Sequence, residues 1–198
     1  MGQSVMTKDT PSAETAKFAL RPTTKVFTED GREVQPGSGE VGMVANGGMV
    51  PLRYHKDPEK SARTFREVGG KRYAFPGDMA TVEADGSITL LGRGSNCINT
   101  GGEKVFPEEV EEVLKRHAAV EDALVFGEAD EQFGQRVVAV ASLKPGASAT
   151  AEAIVAEARA VLASYKLPKR LVLVPRTPRA PNGKADYATA KTLFAAGS

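Results

Sequence analysis

The chain has 198 residues, 41% of them hydrophobic, with 26 Lys and Arg against 25 Asp and Glu and a formal net charge of +1. That is room for one medium domain or two small ones with cores of their own, in a chain of ordinary soluble composition. No basic block is present, which argues against a nucleic-acid footprint or an anionic-membrane patch. The single cysteine, Cys97, excludes an internal disulfide. The opening MGQSVMTKDTP lacks the charged and apolar regions of a signal peptide, so a reducing cytoplasm is the expected setting. Apolar runs such as Val137 to Leu143 are strand-sized, against roughly 20 residues for a bilayer-spanning helix, and no transmembrane segment is expected.

The first twenty residues are polar and read as irregular. From Lys25 to Leu91 the signals are short strands and turns: Lys25-Val26-Phe27 before Glu29-Asp30-Gly31, and Pro36-Gly37-Ser38-Gly39 before Val41 to Val44. One helix is predicted after the cap Asp57, with Pro58 at its first position and Ala62 and Phe65 on one face. A hairpin follows, Met79 to Glu83 and Ser87 to Leu91 around Ala84-Asp85-Gly86.

After Gly92 the texture changes to longer helices alternating with strands, which predicts a boundary near Arg93 to Asn96. Pro107 opens a helix with Glu108, Glu109, Glu111 and Glu112 near its start and Lys115, Arg116 and His117 at its end. That order suits the helix dipole, so the acidic run is assigned to the helix N-terminus. Val110, Val113 and Leu114 form the buried stripe. Strands are expected over 123–127, 137–143 and 171–174. A helix capped by Thr150 carries Ile154, Ala158, Val161 and Leu162 on one face, and a short helix spans 186–194. The fold class is therefore α+β: a β-rich, barrel-like subdomain (1–94, with 1–20 irregular) followed by a small α/β domain of mixed sheet and helices (95–198).

Four local patterns carry the chemistry, each an ordinary turn or surface charge if taken alone. They are Tyr73-Ala74-Phe75-Pro76-Gly77-Asp78; Gly92-Arg93-Gly94-Ser95 running into Thr100-Gly101-Gly102-Glu103-Lys104-Val105 and Pro107-Glu108-Glu109-Val110-Glu111; Ser164-Tyr165-Lys166-Leu167-Pro168; and Pro178-Arg179-Ala180-Pro181-Asn182-Gly183-Lys184. In this order they resemble the adenylate-forming superfamily, specifically the C-terminal portion of an acyl-CoA synthetase of the fatty-acid or sterol-side-chain type. The resemblance runs from about Val26 to Phe194.

That resemblance implies roles. Asp78, in a motif with Pro76 where the family has threonine, would accept from the ribose hydroxyls of ATP, since a carboxylate takes two such bonds at once. Arg93 would contact the nucleotide. Ser95 stands at the hinge position, where relatives usually carry Asp or Lys. The Gly101-Gly102 turn would approach the pantetheine arm of coenzyme A, and Lys166 is a possible substrate-facing residue. Lys184 would be catalytic, its ammonium stabilising charge that develops on the α-phosphate.

The implied reaction uses ATP, Mg2+, a carboxylic acid and coenzyme A, and passes through acyl-AMP. No metal ligand is expected in this chain: Cys97, His55 and His117 have no ligand spacing. The family's phosphate loop, its magnesium-holding glutamate and its acyl pocket have no counterpart in these residues; Gly47-Gly48 lacks the neighbours that would cradle pyrophosphate. The chain is thus expected to need the missing N-terminal part of the same enzyme and to be inactive alone. The alternatives are a truncated, non-catalytic module that binds a nucleotide or a partner, or part of an adenylating enzyme that serves a carrier protein.

Overall fold

A computed structural model describes residues 17–197; residues 1–16 of the expected irregular start lie outside the described residues. The chain divides into two compact units, Met1–Ser95 and Asn96–Ser198.

In the first unit the described strands are β1 (Lys17–Phe18), β2 (Thr24–Phe27), β3 (Gly42–Asn46), β4 (Phe65–Val68), β5 (Lys71–Ala74), β6 (Asp78–Val82) and β7 (Ile88–Arg93), with helix α1 (Pro58–Thr64) between β3 and β4. They form a seven-stranded sheet in the order β1-β7-β6-β3-β5-β4, with β2 also paired to β3. Lys17 and Phe18 are therefore strand rather than irregular chain, because β7 offers them an edge at Thr89 and Ile88. Asp57 caps α1 as its sequence predicts, accepting from Lys60 N–H at 2.9 Å. The helix buries none of its residues, however, and Phe65 opens β4 instead of extending a helical face. Two clusters make the core, one around Val26, Val44, Ala80 and Ile88 and one around Phe27, Tyr73 and Phe75.

The second unit opens from a 3-10 turn at Gly94–Asn96 and contains β8 (Ile98–Thr100), β9 (Glu103–Val105), α2 (Pro107–Leu114), β10 (Val120–Asp130), β11 (Gly134–Leu143), α3 (Ala151–Ala158), β12 (Arg170–Leu173) and α4 (Tyr187–Ala196). Its sheet runs β10-β11-β8-β9, with β12 parallel to β11. Alternation along the strands sorts side chains onto two faces. Ala123, Val125, Val137, Ala139 and Ala141 pack with α2 and α3, while Leu124, Phe126, Val138 and Val140 pack with Ala190 and Phe194 of α4.

β10 and β11 are longer than their apolar runs, pairing out to Asp130 and Gly134. Polar residues such as Glu128 and Arg136 continue the ladder as a directly paired ion pair at 2.6 Å. The helix capped by Thr150 stops at Ala158. Val161, expected on its buried face, is consequently exposed, while Leu162 still reaches the core from the turn that follows.

Leu114 is wholly buried where α2 meets the sheet. Leu114→Ala is expected to destabilise the second unit by about 2–5 kcal/mol in a denaturant titration, the range for an unfilled core cavity.

Candidate active site

In the first unit, Asp78 and Arg93 face each other across the β6–β7 pair as register partners. Their side chains form an ion pair, Arg93 Nε to Asp78 Oδ1 at 3.4 Å, and both are partly exposed. Gly77, at φ 95°, turns the chain into β6, and its carbonyl accepts from Gly94 N–H at 3.1 Å. The turn before Asp78 and the 3-10 turn that contains Ser95 are thus hydrogen-bonded to each other, with Ser95 the last residue of this unit.

The remaining sequence-predicted residues lie in the second unit. Gly101 and Gly102 join β8 to β9 in the left-handed region, at φ 58° and 88°. A Cβ at Gly101 would also be crowded, standing 3.2 Å from Cδ1 of Phe133. Its N–H donates to the Phe133 carbonyl at 3.0 Å, so the turn is fastened to the tip of the β10–β11 hairpin. Phe133 is 45% exposed, an aromatic face left open beside two glycines. Lys166 is engaged within its own unit, with Nζ on Glu109 Oε1 at 2.6 Å.

Lys184 sits on a small hairpin. Gly183 N–H closes the turn on the Ala180 carbonyl at 2.8 Å, Ala180 N–H then donates to the Lys184 carbonyl at 2.8 Å, and Lys184 N–H donates to Asn182 Oδ1 at 3.1 Å. Gly183, at φ 79°, takes the left-handed position that lets the chain return. Arg179 and Ala185 pair as an isolated bridge at the hairpin base. Lys184 itself is exposed.

The hairpin is strapped along β10, the strand at the end of the sheet. Thr177 Oγ1 donates to the Asp122 carbonyl at 3.1 Å, and the Arg179 guanidinium makes a bidentate pair with the Asp122 carboxylate at 2.8 and 2.7 Å. Beyond the lysine, the Tyr187 hydroxyl donates to Glu111 Oε1 at 3.1 Å, and the same oxygen accepts Val125 N–H at 2.9 Å.

Glu111 corrects the reading of the acidic run as a helix-terminus device. It is only 6% exposed and lies inside the fold, where it caps an outward-facing N–H of β10. Burial pushes its carboxyl up to about 7, with Glu108 adding to the shift, while the two hydrogen bonds and Lys115 oppose it. Tyr187 is raised for matching reasons: burial first, then the negative charge of Glu111.

Residues 109–184 match the family model described as "AMP-binding enzyme C-terminal domain". The matched stretch lies in the second unit and identifies it as such a domain. Several of the relatives the chain matches are CoA ligases. It is 54% identical over 168 residues to the 3-oxocholest-4-en-26-oate–CoA ligase of Rhodococcus rhodochrous, covering 85% of this chain and 30% of that one. It is 48% identical over 192 residues to a medium/long-chain-fatty-acid–CoA/3-oxocholest-4-en-26-oate–CoA ligase of Mycolicibacterium smegmatis, covering 97% and 35%. The solved amide bond synthetase McbA of Marinactinospora thermotolerans superposes with TM-score 0.76 at 30% identity, over 87% of this chain and 35% of that one. The chain thus spans about a third of the length of the relatives it matches. No helix among the described residues is long and apolar enough to cross a membrane. Among the described residues no group of three or more His, Cys, Asp or Glu is placed to hold a metal ion.

A carboxyl raised from an ordinary 4.5 to about 7 is protonated in the fold while the unfolded chain has already ionised. Glu111 therefore takes away stability as pH rises between those values, by about 3 kcal/mol in all, and no more above them. Unfolding free energies of parent and Glu111→Gln, measured from pH 4.5 to 7, should diverge by that amount, the parent losing stability relative to the variant.

Proposed function

We propose that this chain supplies the lysine and the coenzyme A-facing surface of an ATP-dependent acyl-CoA ligase. The reading is carried by one observation: Lys184 stands exposed on a tight hairpin whose base and return arm are both fastened to the body of the domain. The identity to curated CoA ligases supports the choice of acceptor.

In the first half-reaction a carboxylate oxygen attacks the α-phosphorus of ATP and pyrophosphate leaves, giving acyl-AMP. Negative charge grows on the non-bridging oxygens in the transition state. An ammonium held there lowers the barrier because the attraction strengthens as that charge develops. Asp78 receives the ribose hydroxyls on its two oxygens, and Arg93, ion-paired to it, contacts the nucleotide. In the second half-reaction the coenzyme A thiolate attacks the acyl carbon and AMP leaves. The Gly101-Gly102 turn, free of side chains, gives the pantetheine arm a close backbone path, and Phe133 offers an aromatic face beside it. Ser95, at the junction of the units, is the pivot between the two arrangements. Lys166 has an internal partner in Glu109, so it is assigned to bracing α2 against the loop before β12 rather than to substrate.

Mg2+ goes with the ATP phosphates and is assigned to residues outside this chain, as are the phosphate loop and the acyl pocket. In this reading the 198 residues need that preceding region for activity. A cytoplasmic setting fits a substrate set of ATP and coenzyme A. The amide bond synthetase likeness favours a second reading, in which the adenylate passes to an amine; product analysis separates thioester from amide.

The test joins this chain to the preceding region of the Rhodococcus rhodochrous ligase and compares Lys184→Ala with the parent. Adenylation, followed by pyrophosphate exchange, should fall by roughly 100-fold or more. Thioester formation from supplied acyl-AMP should stay within about 2-fold, on the ground that the lysine acts in one transition state and not the other. Equal loss in both half-reactions would strip Lys184 of its role as the adenylation lysine.

A further inference from the structure

We propose that Glu111 and Tyr187 are positioning residues for Lys184: their hydrogen bond fastens the return arm of the lysine hairpin to the β10 edge and fixes where the ammonium is presented. The proposal rests on the reading of Lys184 as the adenylation lysine.

The hairpin leaves the body of the domain at Arg179 and comes back at Tyr187. On the outgoing side it is held by the Arg179–Asp122 pair, which is partly exposed to solvent. On the return side the polar hold to another element is the Tyr187 hydroxyl on Glu111. The tyrosine ring packs beside the cluster of Leu124, Phe126 and Phe194, and its hydroxyl reaches the carboxylate of α2, on the helix that covers the opposite face of the sheet. The contact therefore wraps the edge of β10 and ties elements from both faces to one point. Lys184 lies between the two fastenings, so releasing either leaves the hairpin with one polar hold to the rest of the domain and shifts where the lysine is presented.

The choice of residue at position 111 supports a task beyond capping. Val125 N–H needs an acceptor, and a neutral amide oxygen would serve without the cost of burying a carboxyl group. An ionised acceptor makes the stronger bond to a hydroxyl. The groups that face it are Glu108 and Lys115 on α2, Tyr187 on α4 and Arg179 on the hairpin stem. Glu108 opposes ionisation; Lys115 and Arg179 favour it. With its carboxyl near 7, Glu111 grips the phenol more firmly as the pH rises through neutrality, where its ionisation in the fold also ends the loss of stability that runs from 4.5 upward.

Two measurements test this. In the 198-residue chain, the amide NMR shifts of Ala180, Gly183 and Lys184 should titrate together across the neutral range with a midpoint near 7. They should lose that titration in Tyr187→Phe, which keeps the packed ring, and in Glu111→Gln. In the joined enzyme, Tyr187→Phe should lower kcat for adenylation by roughly 10-fold or more, because small displacements of a catalytic group are costly. The KM for ATP and thioester formation from supplied acyl-AMP should stay within about 2-fold in that variant, since neither uses the lysine's transition-state contact. Amide shifts in Tyr187→Phe that match the parent at every pH would overturn the proposal. So would equal slowing of both half-reactions, which marks a packing role, or full adenylation in Tyr187→Phe where Lys184→Ala is inactive. If Lys184→Ala itself adenylates normally, the lysine assignment fails, and the amide titration still decides whether the strap holds the hairpin.

Discussion

An edge strand carries backbone donors and acceptors with no neighbouring strand to meet them, and β10 is such a strand for most of its length. Its outward groups find side chains instead: Val125 N–H meets the Glu111 carboxylate, and the Asp122 carbonyl meets the Thr177 hydroxyl. Those partners lie on α2 and on the segment that leads to Lys184. Satisfying the edge thus decides where the last stretch of the chain runs. Thr177 is itself buried and shares a hydrogen bond with Ser142 of β11 at 2.9 Å, so the stem of the hairpin is anchored in the sheet before the chain emerges to the exposed lysine.

The residues proposed to act on substrates fall in both units. Asp78 and Arg93 are paired on adjacent strands of the first unit; Lys184 and the Gly101-Gly102 turn belong to the second. Within the second unit, the lysine and the glycine turn are built on different devices. The lysine depends on polar straps along β10, whereas the turn depends on close backbone approach to the hairpin tip at Phe133. Separate devices let one feature be altered without the other.

Much of this was legible in the residues because the governing signals are local. Asp57 before Pro58, Thr150 before an apolar period and Asp85-Gly86 between alternating strands each define an end or a turn through their own backbone chemistry. The parallel β11–β12 pairing and the strand nature of Lys17 and Phe18 were not, because both depend on edges supplied by distant segments. Glu111 departs from the helix-terminus expectation for a physical reason. Charge near a helix start invites a dipole explanation, yet Pro107, Val110, Glu111 and Leu114 share one helical face, and that spacing places the carboxylate among buried residues. Phe133 and Tyr187 carry no local signal: an aromatic in a hairpin tip and one after a helix cap gain meaning only from the turn and the carboxylate that folding brings to them.

The central claim is that these residues hold the lysine side of an adenylating site and depend on a preceding region for phosphate and acyl binding. ATP–pyrophosphate exchange by the 198-residue chain alone, with a fatty or steroid carboxylic acid, measures this most directly. The expected result is no exchange above the uncatalysed background, and exchange that appears once the preceding region is joined to the chain. Robust exchange by the chain alone would contradict the claim.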